Sequence, residues 1–190
     1  MSDDAAHPDL TGENRLPGDP TPGETVERMI RVDHAGEYGA VRIYAGQRAV
    51  LRSGAAARAI EGMAATEREH LATFDNLVAE RRVRPTALLP LWHVAGFALG
   101  AATALMGARA AMACTAAVEE VIEAHYADQA ARLGDDEAAL RQTIETARAD
   151  EIAHREEALA LEAEQAPGYE ILTGAIKTGS RIAIWLSSRI

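Results

Sequence analysis

From about residue 24 to the C-terminus, apolar residues recur three and four positions apart, the spacing of one helix face. Nothing reads with the two-residue period of a strand. The first helix is expected to start near Thr21-Pro22-Gly23-Glu24, where threonine caps, proline suits the first turn and glutamate closes a capping box. It should run to about Ser53, with Gly54 ending it and Val26, Met29, Ile30, Val41 and Tyr44 on its inner stripe. A second helix, about Ala56 to Val83, places Ile60, Met63, Leu71, Phe74 and Val78 on one face, and Arg81, Arg82, Arg84 and Pro85 follow it. Another runs from about Ala108 to Leu133 and stops at Gly134. Asp135 or Asp136 should cap the next, which reaches about Gln165 with Leu140, Ile144, Ala158 and Leu161 inward. Beyond Pro167-Gly168, a last amphipathic helix carries Ile171, Leu172, Ile176, Ile182, Trp185 and Leu186 with Lys177, Arg181 and Arg189.

The stretch PTALLPLWHVAGFALGAATALMG, Pro85 to Gly107, is the most apolar, and its only titratable group is His93. Its length would permit a membrane span. Pro90 near its start, the nearby His93 and its alanine and glycine content favour a helix partly in the core and partly dipped into one leaflet. Gly96 and Gly100 are spaced for close helix packing.

Composition narrows the function. The 190 residues suffice for one domain with a sizeable core, and a net charge of −10 argues against a nucleic-acid partner. Mean hydropathy is −0.12. Cys114, the single cysteine, cannot form an intrachain disulfide, suits a reducing compartment and reads as a small core residue. The opening residues MSDDAAHPDLTGENRLPGDPTPG are acidic and rich in proline and glycine. We therefore expect residues 1–23 to be a disordered leader without signal or transit character, and 24–190 to be a single domain.

Four glutamates sit where helices place core residues. Glu37 falls on the stripe of Ile30, Val41 and Tyr44, and Glu67 falls with Ile60, Met63, Leu71 and Phe74. Glu119 falls with Met112, Ala116, Ile122 and Tyr126, and Glu151 with Leu140, Ile144, Ala147 and Ala158. An unpaired buried carboxylate is costly, so something positive must face them. Glu67-Arg-Glu-His70 and Glu151-Ile-Ala-His154 are both E-x-x-H, whose first and last residues share a helix face. Glu37 precedes Glu67 by 30 residues and Glu119 precedes Glu151 by 32. Two helical hairpins, each giving a lone glutamate and an E-x-x-H, form the ligand set of ferritin-like di-metal bundles. Four carboxylates balance two divalent ions, and oxygen ligands with one imidazole per metal suit iron or manganese. By analogy with such bundles, Glu67 and Glu151 would bridge, Glu37 with His70 would complete one metal, and Glu119 with His154 the other.

Around this set, Asp33 and Asp150 could bond the far nitrogen of a ligand histidine or simply be solvated. Glu120 and Glu123 compete with the better-centred Glu119, while His34 and His125 read as structural. Tyr126, seven residues after Glu119, should point at the cluster as a proton or electron relay, or else fill the core. The chain has no G-x-G-x-x-G, so reducing equivalents must come from a diffusing cofactor or a partner.

The stretches RVDHAGEYGAVRIYAGQ, EREHLATF, the apolar segment, AMACTAAVEE followed by HY, DEIAH and the tail RIAIWLSSR resemble the demethoxyubiquinone hydroxylases, a di-iron family of ubiquinone biosynthesis. The likeness spans Arg31 to the C-terminus, and the family's ligands fall on Glu37, Glu67, His70, Glu119, Glu151 and His154. The loop at Gly134-Asp135 looks short for the family, and the acidic leader has no counterpart there. The resemblance implies an all-α ferritin-like four-helix di-iron bundle with an added membrane-associating helix and a C-terminal amphipathic helix. It also implies two iron ions per chain and hydroxylation of a polyprenyl quinol ring with dioxygen, with electrons ultimately from NADH. A polyprenyl quinone lives in the bilayer, so we expect a peripheral protein on the cytoplasmic side of a bacterial inner membrane. There Arg81, Arg82 and Arg84 would meet headgroups, with Trp92 and Trp185 at the interface. A homo-oligomer or ubiquinone-biosynthesis partner proteins fit the same picture. The rival reading, a ferritin-like iron store or ferroxidase, uses the same ligands but leaves the apolar segment without a purpose.

Overall fold

The computed structural model describes residues 16–190, so most of the expected leader, residues 1–15, lies outside the described residues. Leu16 to Asp19 form an exposed turn before helix α1, Pro22–Val50. The expected capping box is present: the Glu24 amide donates to Thr21 Oγ1 at 3.1 Å and the Thr21 amide to Glu24 Oε2 at 2.7 Å. Then come α2 (Ala55–Glu80), α3 (Leu89–Leu105), α4 (Ala108–Arg132), α5 (Ala138–Ala160) and α6 (Tyr169–Ser187). No strand occurs among the described residues.

Helix ends depart from expectation in four places, one of them α2, which stops at Glu80 rather than Val83. α1 stops at Val50 rather than Ser53. Neither Asp135 nor Asp136 caps α5: both lie in a short 3-10 turn, Asp135–Glu137, and α5 begins beyond Glu137 without a side-chain cap. Finally, α5 ends five residues early. Glu162 takes a left-handed backbone with φ 63, and a second 3-10 turn, Ala163–Gln165, buries Ala163 and Ala166 against α4. Periodicity continues through this break, so the pattern alone could not find it.

The helices pack as two hairpins, α1 on α2 and α4 on α5. α4 is the central helix: every residue from Ala110 to Glu119 is buried, and its many alanines let neighbours approach on all sides. α6 lies on α4, and α3 runs along α1. The α1–α3 contact depends on glycines. A Cβ at Gly100 would collide with the Ile43 carbonyl, one at Gly46 with the Phe97 carbonyl, and one at Gly96 would lie 3.0 Å from the Gly39 carbonyl. These obstacles are backbone atoms and cannot rotate away. Gly100→Ala is therefore expected to cost about 1–3 kcal/mol, read as a fall in melting temperature, whereas Gly62→Ala, with nothing within 4 Å, should not destabilise. Equal melting temperatures for the two variants would contradict this packing.

α3 buries only Gly96, Gly100, Thr103 and Ala104. Leu91, Val94, Phe97, Leu105 and Met106 stay exposed on its other side, as do Ile171, Ile182, Trp185 and Ile190 on and after α6. No helix among the described residues is long and apolar enough to cross a membrane. Of the basic cluster after α2, Arg81 is exposed but committed to a surface pair, donating twice to Glu137 at 2.8 and 2.7 Å. Trp92 is half-buried and donates from Nε1 to Ser187 Oγ at 3.1 Å, tying α3 to α6.

Candidate metal centre

α1, α2, α4 and α5 each turn one glutamate inward, and Glu37, Glu67, Glu119 and Glu151 are at most 1 % exposed. His70 and His154, one turn beyond Glu67 and Glu151, are buried beside them. The six form two overlapping groups of four, Glu37–Glu67–His70–Glu151 and Glu67–Glu119–Glu151–His154. Within each group, one nitrogen or oxygen per residue lies within 4.8 Å of all the others. Glu67 and Glu151 belong to both.

Hydrogen bonding separates the shared glutamates from the unshared. Tyr126 donates its hydroxyl to Glu37 Oε1, and Tyr44 donates to Glu119 Oε1 at 2.6 Å, leaving one free oxygen on each. Both oxygens of Glu67 and of Glu151 lack any hydrogen-bond partner, as do Nδ1 of His70 and of His154. His154 Nδ1 comes within 3.0 Å of Glu67 Oε1, but without hydrogen-bond geometry. Eight buried, unpartnered donor atoms of hard-oxygen and imidazole type thus converge, which fits a pair of divalent cations.

The electrostatics of the metal-free cluster agree. Burial, reinforced by the neighbouring carboxylates, holds Glu67 and Glu119 well above the usual carboxylate range, and burial raises Glu37 as well. Glu151 is buried too, but His154 and His70 pull it down to about 2. Burial works against protonated His70, yet Glu151 and Glu37 outweigh it and raise the imidazole to about 11. Such a cluster calls for positive charge, whether protons or cations.

Of the outer acids, Asp150 takes the first of its two open roles: His70 Nε2 pairs with its Oδ2 at 3.0 Å. Asp33 does not. It accepts from Gln129 Nε2 at 2.7 Å and lies 3.6 Å from His125, away from both cluster histidines. Glu120 pairs with Lys177 and Arg155, and Glu123 with Arg148, so both face outward. His34 bonds Asp75 at 2.9 Å and His125 bonds Gln129 at 2.8 Å, as structural histidines do. Cys114 is buried, which raises its thiol to about 12.

Sequence reasoning placed Tyr44 only on a stripe and passed over Gln47 and Gln129. The signal was present: Glu37 and Glu119 both begin E-x6-Y-x2-Q. α1 and α4 run antiparallel, so each tyrosine reaches the other helix's glutamate. Each glutamine likewise reaches the residue four before the other helix's glutamate, Gln129 to Asp33 and Gln47 to Thr115 at 3.3 Å. The centre therefore has an internal two-fold relation.

A cavity of about 320 Å³ lies between α1, α3, α4 and α6, against the turns of α1 and α4 that carry Glu37 and Glu119. Gly36, Ala40, Ile43, Leu99, Val118 and Ile122 make it almost wholly apolar.

A profile of the family described as "Ubiquinone biosynthesis protein COQ7" matches residues 24–187. The chain belongs to this family. It is 59 % identical over 181 residues to the 3-demethoxyubiquinol 3-hydroxylase of Rhodospirillum rubrum, covering 95 % of this chain and 85 % of that one. It is 50 % identical over 169 residues to the human mitochondrial NADPH-dependent 3-demethoxyubiquinone 3-hydroxylase, covering 87 % and 78 %. With the Saccharomyces cerevisiae 5-demethoxyubiquinone hydroxylase, identity is 41 % over 182 residues, covering 87 % and 78 %. Membership places the buried cluster in a family of hydroxylases, and the all-helical bundle expected from the sequence is what the chain forms.

Proposed function

We propose that this chain is a di-iron monooxygenase that hydroxylates the ring of a demethoxyubiquinol with dioxygen in ubiquinone biosynthesis. The observation that carries the reading is the pair of overlapping buried groups, with two free oxygens on each shared glutamate and one on each unshared. Glu67 and Glu151 would hold both irons. Glu37 with His70 would complete one coordination sphere, and Glu119 with His154 the other. When bound, the irons activate dioxygen, so that one oxygen atom enters the ring and the other leaves as water, two external electrons balancing the reaction.

The chain's own residues prepare that chemistry. Tyr126 and Tyr44 each tie up one oxygen of Glu37 and Glu119, so these carboxylates have a single oxygen left for a metal. The apolar cavity beside α1 and α4 suits a prenylated aromatic ring held against the helices that carry Glu37 and Glu119. The Tyr126 hydroxyl, buried on Glu37, would serve as a proton relay through that carboxylate. Tyr126→Phe should keep about two irons per chain yet lose about 10–100-fold in turnover. Unchanged turnover would leave Tyr126 as core packing only.

The exposed apolar rows of α3 and α6 support a peripheral position on a bacterial inner membrane, cytoplasmic side, from which a polyprenyl quinol could enter the cavity. The chain is expected to sediment with anionic liposomes; failure to do so, with complete release from membranes by carbonate, would remove that placement. We expect a reduced nicotinamide nucleotide as electron source: the sequence reading favours NADH, and the human relative is named for NADPH. Metal analysis of anaerobically prepared protein, with quinol turnover on each nucleotide, tests the whole reading. About two irons and a hydroxylated quinol are expected; metal-free protein that turned over quinol would end it.

A further inference from the structure

At the two histidines the two-fold relation breaks. Asp150, before Glu151, is seated on His70 Nε2 at 3.0 Å. The equivalent residue before Glu67 is Thr66, a half-buried side chain that lines the same cleft as His154. His154 Nε2 has no carboxylate partner among the described residues. The cleft beside it, about 470 Å³, is open to solvent and lined by Arg58, Met63, Thr66 and Glu157.

We propose that Asp150 makes the two halves of the metal centre inequivalent, so that the Glu37–His70 half fills first and tightly while the Glu119–His154 half fills second and exchanges. The inference rests on the di-metal reading above and adds a positioning residue to it. An imidazole that donates Nε2–H to a carboxylate has its ring orientation fixed and its Nδ1 made a stronger donor toward a cation. His70 has this support and His154 does not, although all four glutamates are buried to the same degree. Both halves share Glu67 and Glu151, and the Tyr126 and Tyr44 contacts are equivalent. Among the described residues, the Asp150–Thr66 pair is therefore the clearest difference at the histidine ligands. The open cleft on the Thr66 side gives the looser ion a path to solvent.

The test is an anaerobic Co²⁺ titration of the full chain against a competing chelator, followed by the visible bands of the bound ion. Two steps are expected in the unaltered protein. Asp150→Asn keeps the side-chain volume at a half-exposed site and should weaken the first step about 10–100-fold with little change in the second. Thr66→Asp supplies the absent carboxylate and should tighten the second step about tenfold, leaving the first in place. With one equivalent of Co²⁺, an exchangeable paramagnetically shifted imidazole N–H from His70 should be visible, and it should disappear in Asp150→Asn. Circular dichroism and the metal-free melting temperature establish that each variant folds. A first step unaltered by Asp150→Asn overturns the proposal, as does an effect of that variant on the second step alone or a Thr66→Asp protein whose second step is no tighter. Failure of the unaltered chain to bind any Co²⁺ would instead sink the di-metal centre itself.

Discussion

Glu67→Gln is expected to abolish quinol hydroxylation, to drop bound metal from about two ions to well below one, and to raise the melting temperature of the metal-free protein. The three results share one cause. Glu67 belongs to both ligand groups and has both oxygens free, so its loss removes a ligand from each ion at once. Glu37→Gln touches one group and should retain part of the metal. The gain in metal-free stability has the opposite sign to most core substitutions. A carboxylate that is fully buried beside three others must hold a proton the unfolded chain has released, and glutamine has no such requirement. The relief should be about 1–3 kcal/mol, or roughly 2–10 °C at this size. Calorimetry at pH 8 in chelator, with metal analysis on the same preparation, reads all of it. A variant that kept two ions, or a metal-free protein that melted lower, would show that Glu67 is not a shared ligand in an otherwise unneutralised cluster.

The second large effect is a reversal of pH dependence on metal loading. In the metal-free chain Glu37, Glu67 and Glu119 are raised above their unfolded values. Their stabilising contribution is complete below about pH 4.5 and is lost as pH rises through the folded values. His70, raised to about 11, acts in the same direction above pH 6.5. Glu151, lowered to about 2, opposes them only in acid, where its contribution is lost as pH falls from about 4.5 toward 2. Between pH 5.5 and 8, therefore, metal-free stability should fall. Metal binding requires the same carboxylates ionised and the histidines neutral, so it releases protons and strengthens as pH rises. The melting-temperature difference between Mn²⁺-loaded and metal-free protein should widen steadily across that window. A difference that stayed constant would mean that the buried groups release no protons when metal binds.

The wrong-facing acids were legible because a helix leaves little choice. Once Ile30, Val41 and Tyr44 define the inner stripe of α1, Glu37 has to lie on it, and the same geometry forces Glu67, Glu119 and Glu151 inward. The two E-x-x-H pairs were equally plain, since three residues make nearly one turn. Even a close helix approach showed itself through Gly96 and Gly100, although not that α1 would be the partner. Local spacing carries these features, and local spacing is what a linear chain displays.

Where one helix meets another, spacing gives no answer. Asp33 and Asp150 were equal candidates in the sequence, but the antiparallel register of α1 and α4 sends Asp33 to Gln129, while the approach of α5 to α2 seats Asp150 on His70. That Arg81 would pair with Glu137, and that α5 would break at Glu162, depended on contacts between segments far apart in the chain. By itself, then, the sequence determined which side chains face inward and in what chemical pairs, because helical period is a property of neighbours. Tertiary structure alone decided which partner each outer acid takes, which oxygens the tyrosines occupy and which histidine is buttressed, because those depend on the distance and register between separate helices.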